Sequence, residues 1–330
     1  MENLENRIFE VKNKREFLET ALEIFNFQKV NNPIYKKYLQ LLGKNYNKIN
    51  SLEQIPFMPI DFFKNFTIKT TDFEPENEFL SSGTTGKNTS HHYIKKNEIY
   101  FKTLIKGFKQ FYGDIKQYKI LALLPSYLER TGSSLVTMVE QLMKESQNGD
   151  EGFYLYDFEA LDKKIEETLK ENNKKILLIG VTFALLDYAE KYKRNYGKNL
   201  IIMETGGMKG RKKELVRKEV HEKLIQNLGV ETIHSEYGMT ELLSQAYSFS
   251  SGIYNETSTM KILIRDYNDP FEYVKNDVTG GINVVDLSNI YSCSFIETKD
   301  LGIKHLDGSF EVLGRFDNSQ TRGCNLLYTD

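Results

Sequence analysis

From residue 14 to 30 apolar side chains recur at helical spacing, with Leu18, Ala21, Leu22 and Phe25 on one stripe, and Asn32-Pro33 stops that helix. The run Ile55-Pro56-Phe57-Met58-Pro59-Ile60-Asp61-Phe62-Phe63-Lys64 is apolar but broken by prolines, which predicts a rigid extended stretch packed on the core. Further on, short apolar runs at 118–124, 153–156, 175–180, 200–203 and 232–234 predict strands. Helical periods separate them: 98–112 through Tyr100, Leu104, Phe108 and Phe111, and 133–144 through Leu135, Met138, Val139 and Leu142. Others are the stripe of Leu161, Ile165 and Leu169, then 183–192 and 214–227. Apolar strands alternating with amphipathic helices predict an α/β fold with a mostly parallel sheet covered on both faces.

From about residue 260 the pattern changes. Strand-like runs at 261–264, 281–286, 291–297 and 310–313 follow one another without helices, and Asp307-Gly308 is a hairpin turn. The expected organisation is an α/β core over 1–259 and a small antiparallel β-rich subdomain over 260–330.

The segment Ser81-Ser82-Gly83-Thr84-Thr85-Gly86-Lys87-Asn88-Thr89-Ser90 concentrates hydroxyls and glycines around one lysine. Such a loop offers backbone N–H and side-chain O–H donors to polyphosphate oxygens, although the same composition also makes ordinary solvated loops. It is not a Walker loop, because its two glycines are too close, and no G-x-G-x-x-G occurs. Two more turns follow predicted strands: Glu204-Thr205-Gly206-Gly207-Met208-Lys209-Gly210 and Ser235-Glu236-Tyr237-Gly238-Met239-Thr240-Glu241. Each alone is turn chemistry. Together they point to a ligand site, since α/β sheets bind ligands at strand C-termini.

Composition narrows the function. The chain has 330 residues, is 40% hydrophobic and 27% charged, and has a net charge of −2, which argues against a nucleic-acid or anionic-membrane partner. The basic run at 209–218 is interleaved with Glu214, Leu215 and Val216 and reads as a solvated helix face. No apolar run approaches a bilayer span, the first residues are polar rather than a signal peptide, and two cysteines build no disulfide framework. A reduced, cytoplasmic protein is expected. His221, His234 and His305 lack metal-ligand spacing, and neither H-E-x-x-H nor a nucleophile elbow occurs. One of His91 and His92 is expected near the site.

The order of these turns resembles the adenylate-forming superfamily. Ser82-Gly83-Thr84-Thr85-Gly86 is similar to its phosphate-binding signature, and Tyr237-Gly238-Met239-Thr240-Glu241 to its aromatic-Gly-x-Thr-Glu motif. Thr298-Lys299-Asp300 is similar to its Thr-Gly-Asp motif, with lysine in place of glycine, and Gly314-Arg315-Phe316-Asp317 to its hinge entry. The resemblance is closer to one branch, the acyl-protein synthetase of the bacterial bioluminescence fatty-acid reductase and its relatives. It rests on the Pro-Phe-Met-Pro segment and on the ending Arg322-Gly323-Cys324-Asn325-Leu326, and runs from about residue 20 to 328.

The resemblance implies ATP and Mg²⁺ as cofactors and a carboxylic acid, a fatty acid in this branch, as substrate. Ser81, Ser82, Gly83, Thr84, Thr85 and Gly86 would hold the β- and γ-phosphates, with Lys87 as a point charge. Gly206, Gly207 and Tyr237, with Gly238, would flank the adenine. Thr240 would bond the α-phosphate, Glu241 would hold Mg²⁺, Asp300 would accept from the ribose hydroxyls, and Arg315 would lie near ribose or phosphate. Outside that frame Tyr237 would be plain core, Asp300 a turn former and Arg315 half of a surface ion pair. Cys324, beside Arg322, would take the acyl group as a thioester and pass it to a partner reductase or carrier. Cys293, inside a strand-like run, is expected buried and inert. Superfamily ligases carry a mobile C-terminal domain with a catalytic lysine, whereas thirteen residues follow Asp317 here. That domain is expected to be absent, which keeps two alternatives open: a nucleotide- or acyl-binding module with reduced catalysis, or an acyltransferase using a preformed thioester.

Overall fold

Asn32 ends one helix and begins the next. The computed structural model describes residues 2–81, 89–125, 131–149, 152–171, 174–206, 216–266 and 268–315. Helix α1 (Glu2–Glu10) precedes α2 (Lys14–Asn31), which closes as the Asn32 N–H donates to the Gln28 carbonyl at 2.9 Å. The Asn32 side chain accepts from the Tyr35 N–H at 3.0 Å and caps α3 (Pro33–Leu41), with Pro33 in the first turn where its missing N–H costs nothing. The predicted stop is therefore also a start.

The proline-broken stretch forms a two-residue strand, β1 (Met58–Pro59), and a one-turn helix, α4 (Phe62–Asn65). Strands β2 (Asn77–Leu80) and β3 (His91–Ile94) make an antiparallel ribbon separate from the main sheet, with Leu80 opposite His91. Residues 81–90 thus link the strands of a hairpin. Then α5 (Asn97–Tyr112), β4 (Tyr118–Leu123), α6 (Ser134–Ser146), β5 (Gly152–Phe153), α7 (Phe158–Glu171), β6 (Lys175–Gly180), α8 (Thr182–Lys191), β7 (Leu200–Thr205), α9 (Arg217–Leu228) and β8 (Ile233–Tyr237) alternate as expected. Strands β5, β4, β6, β7 and β8 run parallel in that order. The apolar residues of β4 and β6, and most of those in β7 and β8, are buried on both faces, each full burial contributing about 1.5–3 kcal/mol. The strand expected at 153–156 stops at Phe153, because Leu155 takes a left-handed turn at φ 48°.

Six antiparallel strands complete the same sheet: β9 (Ala246–Ser248), β10 (Ile253–Glu256), β11 (Met260–Arg265), β12 (Gly280–Asp286), β13 (Phe295–Lys304) and β14 (Phe310–Arg315). The order is β11-β12-β13-β14-β10-β9-β8-β7-β6-β4-β5, and β1 adds to β13 in parallel, Met58 opposite Ile296. The strand expected from residue 291 begins only at Phe295, because the Tyr291 and Ser292 carbonyls are taken by the N-terminal segment instead, that of Tyr291 accepting from the Thr70 N–H at 2.7 Å. Gln28 Nε2 donates to the Asn289 and Ile290 carbonyls at 2.9 and 3.0 Å, and Asn32 Nδ2 to the Ser292 carbonyl at 2.9 Å. Two hydrophobic cores result. One lies around the parallel strands, and the other joins α1–α4 to β11–β13, with Phe25, Tyr35 and Phe295 at its centre.

Candidate active site

The mouth of the β2–β3 hairpin is closed by two hydrogen bonds. The Ser81 N–H donates to the Ser90 carbonyl at 3.1 Å, and the Ser90 N–H donates to Ser81 Oγ at 2.8 Å. The Leu80 N–H donates to the Gly132 carbonyl at 2.7 Å, which fixes the stem against the turn before α6. Ser82, Gly83, Thr84, Thr85, Gly86 and Lys87 lie outside the described residues, as do Gly207 and Cys324.

The second bend is organised by a carboxylate that the sequence reading did not single out. Glu204, at the end of β7, accepts from the Thr182 hydroxyl at 2.7 Å and the Ser235 hydroxyl at 3.0 Å. His221 Nε2 and Arg217 Nε stand 3.5 and 3.6 Å from it. Burial pushes this carboxyl up, but hydrogen bonds from His221 and Thr182 and the Arg217 charge outweigh it and hold Glu204 below the usual carboxylate range. Thr182 also bonds the Gly206 carbonyl at 2.6 Å, and Gly206 turns the chain at φ 73°, a conformation that favours glycine.

The third bend is held from both sides. His92 Nδ1–H donates to the Thr240 carbonyl at 2.8 Å, and Asn289 Nδ2 donates to the Glu241 carbonyl at 2.7 Å. Burial pushes His92 down to about 4, so its ring is neutral and its Nε2 keeps a lone pair. Of the paired histidines, His92 braces the Thr-Glu bend, whereas His91 bonds Glu78 at 2.7 Å and stacks on Tyr93. Tyr237, buried between Tyr254 and Phe310, donates its hydroxyl to Asp300 Oδ2 at 2.8 Å. Arg315 Nε stands 3.5 Å from Asp300 Oδ1, across the β13–β14 ladder, and is otherwise solvent-exposed. Burial raises Asp300, with the Arg315 charge and the Tyr237 bond opposing; each carboxylate oxygen retains acceptor capacity for a further hydroxyl. Glu241 is likewise raised by burial, against the Ser90 hydroxyl and the charges of Arg315 and Lys64.

These contacts bring the bends together. Thr205 Oγ1 donates to Glu236 Oε2 at 3.0 Å, joining the second to the third, and His92 joins the hairpin to Thr240. Tyr237 links the third bend to β13. A Cβ at Gly238 would lie 2.4 Å from Glu236 Oε1, so a side chain there would displace that carboxylate. These contacts set hydroxyls, buried carboxylates and an arginine close together at one end of the sheet. No cluster of three metal-ligating side chains occurs among the described residues. A single carboxylate such as Glu241 suits Mg²⁺, which keeps most of its water and binds mainly through a substrate's phosphates. Glu204, Glu236 and Asn289 were missed. The available signal for the two acids was a charged residue closing an otherwise apolar strand, as in Ile201-Ile202-Met203-Glu204. Cys293 is fully buried and burial pushes its thiol up to about 12, as expected of an inert core thiol.

The fold is that of adenylate-forming enzymes. MatB from Rhodopseudomonas palustris with ATP bound superposes with TM-score 0.56 at 14% identity, over 74% of this chain and 50% of that one. A 2-hydroxyisobutyryl-CoA ligase in the postadenylation state, in complex with R3-HIB-AMP, gives TM-score 0.68 at 11% identity, over 92% of this chain and 68% of that one. The chain spans about half the length of the MatB structures it matches. At these identities the likeness is one of fold. No curated protein matches the sequence. The chain belongs to the acyl-protein synthetase (LuxE) family, whose match covers residues 9–330. No helix among the described residues is long and apolar enough to cross a membrane.

Proposed function

We propose that this protein condenses a carboxylic acid, in this family a fatty acid, with ATP to give acyl-AMP and pyrophosphate, then passes the acyl group to a thiol. The observation that carries this reading is the hydrogen-bonded linking of the hairpin, the Thr240-Glu241 bend and Asp300 in a member of the acyl-protein synthetase family. The ATP held by MatB and the acyl-AMP held by the 2-hydroxyisobutyryl-CoA ligase support it by analogy of fold.

Each group has a task in that reaction. Ser81, with Ser82 to Gly86, presents donors to the departing pyrophosphate, and Lys87 adds positive charge. Tyr237 and the Gly206-Gly207 and Gly238 backbone flank the base, Asp300 accepts from the ribose, and Arg315 screens the phosphate. Thr240 donates to the α-phosphate oxygen on which charge grows as the acid's carboxylate attacks, held in place by the His92 brace. Glu241 would hold Mg²⁺, which supplies charge neutralisation when bound. The acyl group then leaves AMP for the Cys324 thiolate, or for a thiol on a partner reductase or carrier, and AMP departs as the oxygen–acyl bond breaks and the sulfur–acyl bond forms.

Pyrophosphate release measured across saturated acids of increasing chain length, with intact-mass analysis of the protein, tests both steps. We expect acid-dependent pyrophosphate and an acyl adduct that Cys324→Ser abolishes. A folded protein that releases none with any acid would refute the reading.

A further inference from the structure

Two buried polar atoms beside the Thr240-Glu241 bend have no hydrogen-bond partner among the described residues: His92 Nε2 and Asn289 Oδ1. Both belong to side chains that already hold the bend. His92 Nδ1–H donates to the Thr240 carbonyl at 2.8 Å, and Asn289 Nδ2 donates to the Glu241 carbonyl at 2.7 Å. Those bonds fix the character of the remaining atoms. A carbonyl only accepts, so Nδ1 carries the ring proton, and a neutral imidazole then keeps a lone pair on Nε2. The amide cannot be reversed, because its oxygen would then face the Glu241 carbonyl oxygen. Asn289 Oδ1 is therefore an acceptor as well.

Two acceptors cannot bond each other. Protonating the ring would make Nε2 a donor, but His92 is 1% exposed and packs edge-on against Phe63 and Phe79 at 5.6 and 6.4 Å. Burial among aromatic rings opposes that charge. His92 and Asn289 line one cavity of about 10 Å³, together with Ser288. That is about the room one water needs, and a water brings two donors. The surroundings are anchored. Asp286 accepts from the Ser288 N–H at 3.1 Å and from the Leu243 and Ser244 N–H groups at 2.7 and 3.0 Å. The turn that carries Asn289 and the chain just after Glu241 thus share one carboxylate.

Resting on the acyl-adenylate reading above, we propose that one bound water donates to both His92 Nε2 and Asn289 Oδ1, and that the three together form a positioning yoke for Thr240 and Glu241. The yoke grips consecutive carbonyls, so both peptide planes flanking the Glu241 Cα are fixed. The Thr240 hydroxyl then keeps its place as charge grows on the α-phosphate. The water makes the two grips one, since losing either acceptor removes half of its anchorage.

A high-resolution crystal structure of the wild type, with ring-nitrogen NMR of His92, reads the water directly. We expect a water within hydrogen-bond distance of both atoms and the Nδ1–H tautomer at neutral pH. A dry cavity, or an imidazolium bonded straight to Asn289, would overturn the proposal. Acid-dependent pyrophosphate release by His92→Phe, Asn289→Leu and the double variant tests the yoke. We expect each single variant to lower kcat about 10- to 100-fold with KM for ATP within about threefold, as for a misplaced group. The double variant should lose no more than about twofold beyond the worse single one, because both act through one water. Losses that multiply, or single variants with wild-type kcat, would overturn the positioning role. A wild type that releases no pyrophosphate with any acid would refute the acyl-adenylate reading and the positioning role with it, while the water is decided by the crystal alone.

Discussion

Glu204 and Glu236 end neighbouring strands and are equally buried, at 7% and 8% exposure, yet they titrate in opposite directions. Glu204 pairs across the ladder with Ser235 and Thr205 with Glu236, so the acids point to opposite faces of the sheet. On one face, α8, α9 and β8 deliver Thr182, His221, Arg217 and Ser235 to a single carboxylate. On the other face, Glu236 has the Thr205 hydroxyl, and burial pushes it up to about 7. The difference teaches that burial does not decide the charge state of an acid here; the number of donors aimed at it does. One face is locked by its carboxylate, and the other holds a carboxyl that can gain or lose a proton near neutrality.

The largest expected effect is on the locked face. Glu204→Ala removes the shared acceptor of four polar groups and should cost about 3–5 kcal/mol in urea unfolding, as for other broken buried pairs. A loss under about 1 kcal/mol would break the comparison. Next comes the pH profile of the other face. The folded pKa of Glu236 is raised from 4.5 to about 7, so its contribution is fully present below pH 4.5 and is lost as pH rises toward 7. That is a fall of roughly 3 kcal/mol across the window, which Glu236→Gln should flatten. The lowered pKa of Glu204 gives the opposite sign, with stability present above the usual carboxylate range and lost as pH falls through its folded value. A Glu236→Gln profile as steep as wild type between pH 4.5 and 7 would show that another group titrates there. The smallest effect belongs to Thr205→Val. Losing that donor should raise Glu236 further and cost about 1 kcal/mol at pH 8, with less at pH 5. Equal losses at both pH values would mean that the hydroxyl is packing rather than partnering.

Much of the fold was legible because the parallel half is built from unambiguous runs. Ile120, Leu121 and Leu123, and Ile176 to Ile179, are apolar without interruption, and the helices between them keep strict 3.6 spacing. The N-terminal helices were only partly legible. Residues 2–10 and 33–41 are short, and α3 is announced by one capping asparagine and one proline rather than by a long stripe. The start of β13 was misplaced because Tyr291 to Ser294 look extended in sequence, while the Tyr291 carbonyl accepts from the Thr70 N–H and the Ser292 carbonyl from Asn32 Nδ2, each more than 200 positions earlier. The same limit applied to the site. Thr240, Glu241, Asp300 and Arg315 stood out in their motifs, but the bracing by His92 and Asn289 depends on contacts across 148 and 48 positions that no local pattern carries.

Those long reaches impose an order on how the molecule is made. Helix α2 leaves the ribosome early with Gln28 and Asn32 exposed to water, and the carbonyls they are shaped to meet are synthesised last among the described elements that enclose them. The β1 segment waits similarly for β13, its only partner strand among the described residues. Until then the parallel half can collapse around its own core, and α1 can meet α5 through Glu5 and Lys96, while the apolar faces that α2 and α3 turn to β11–β13 have no cover. We expect closure of the second core to come late in folding, since it joins the segments furthest apart in sequence.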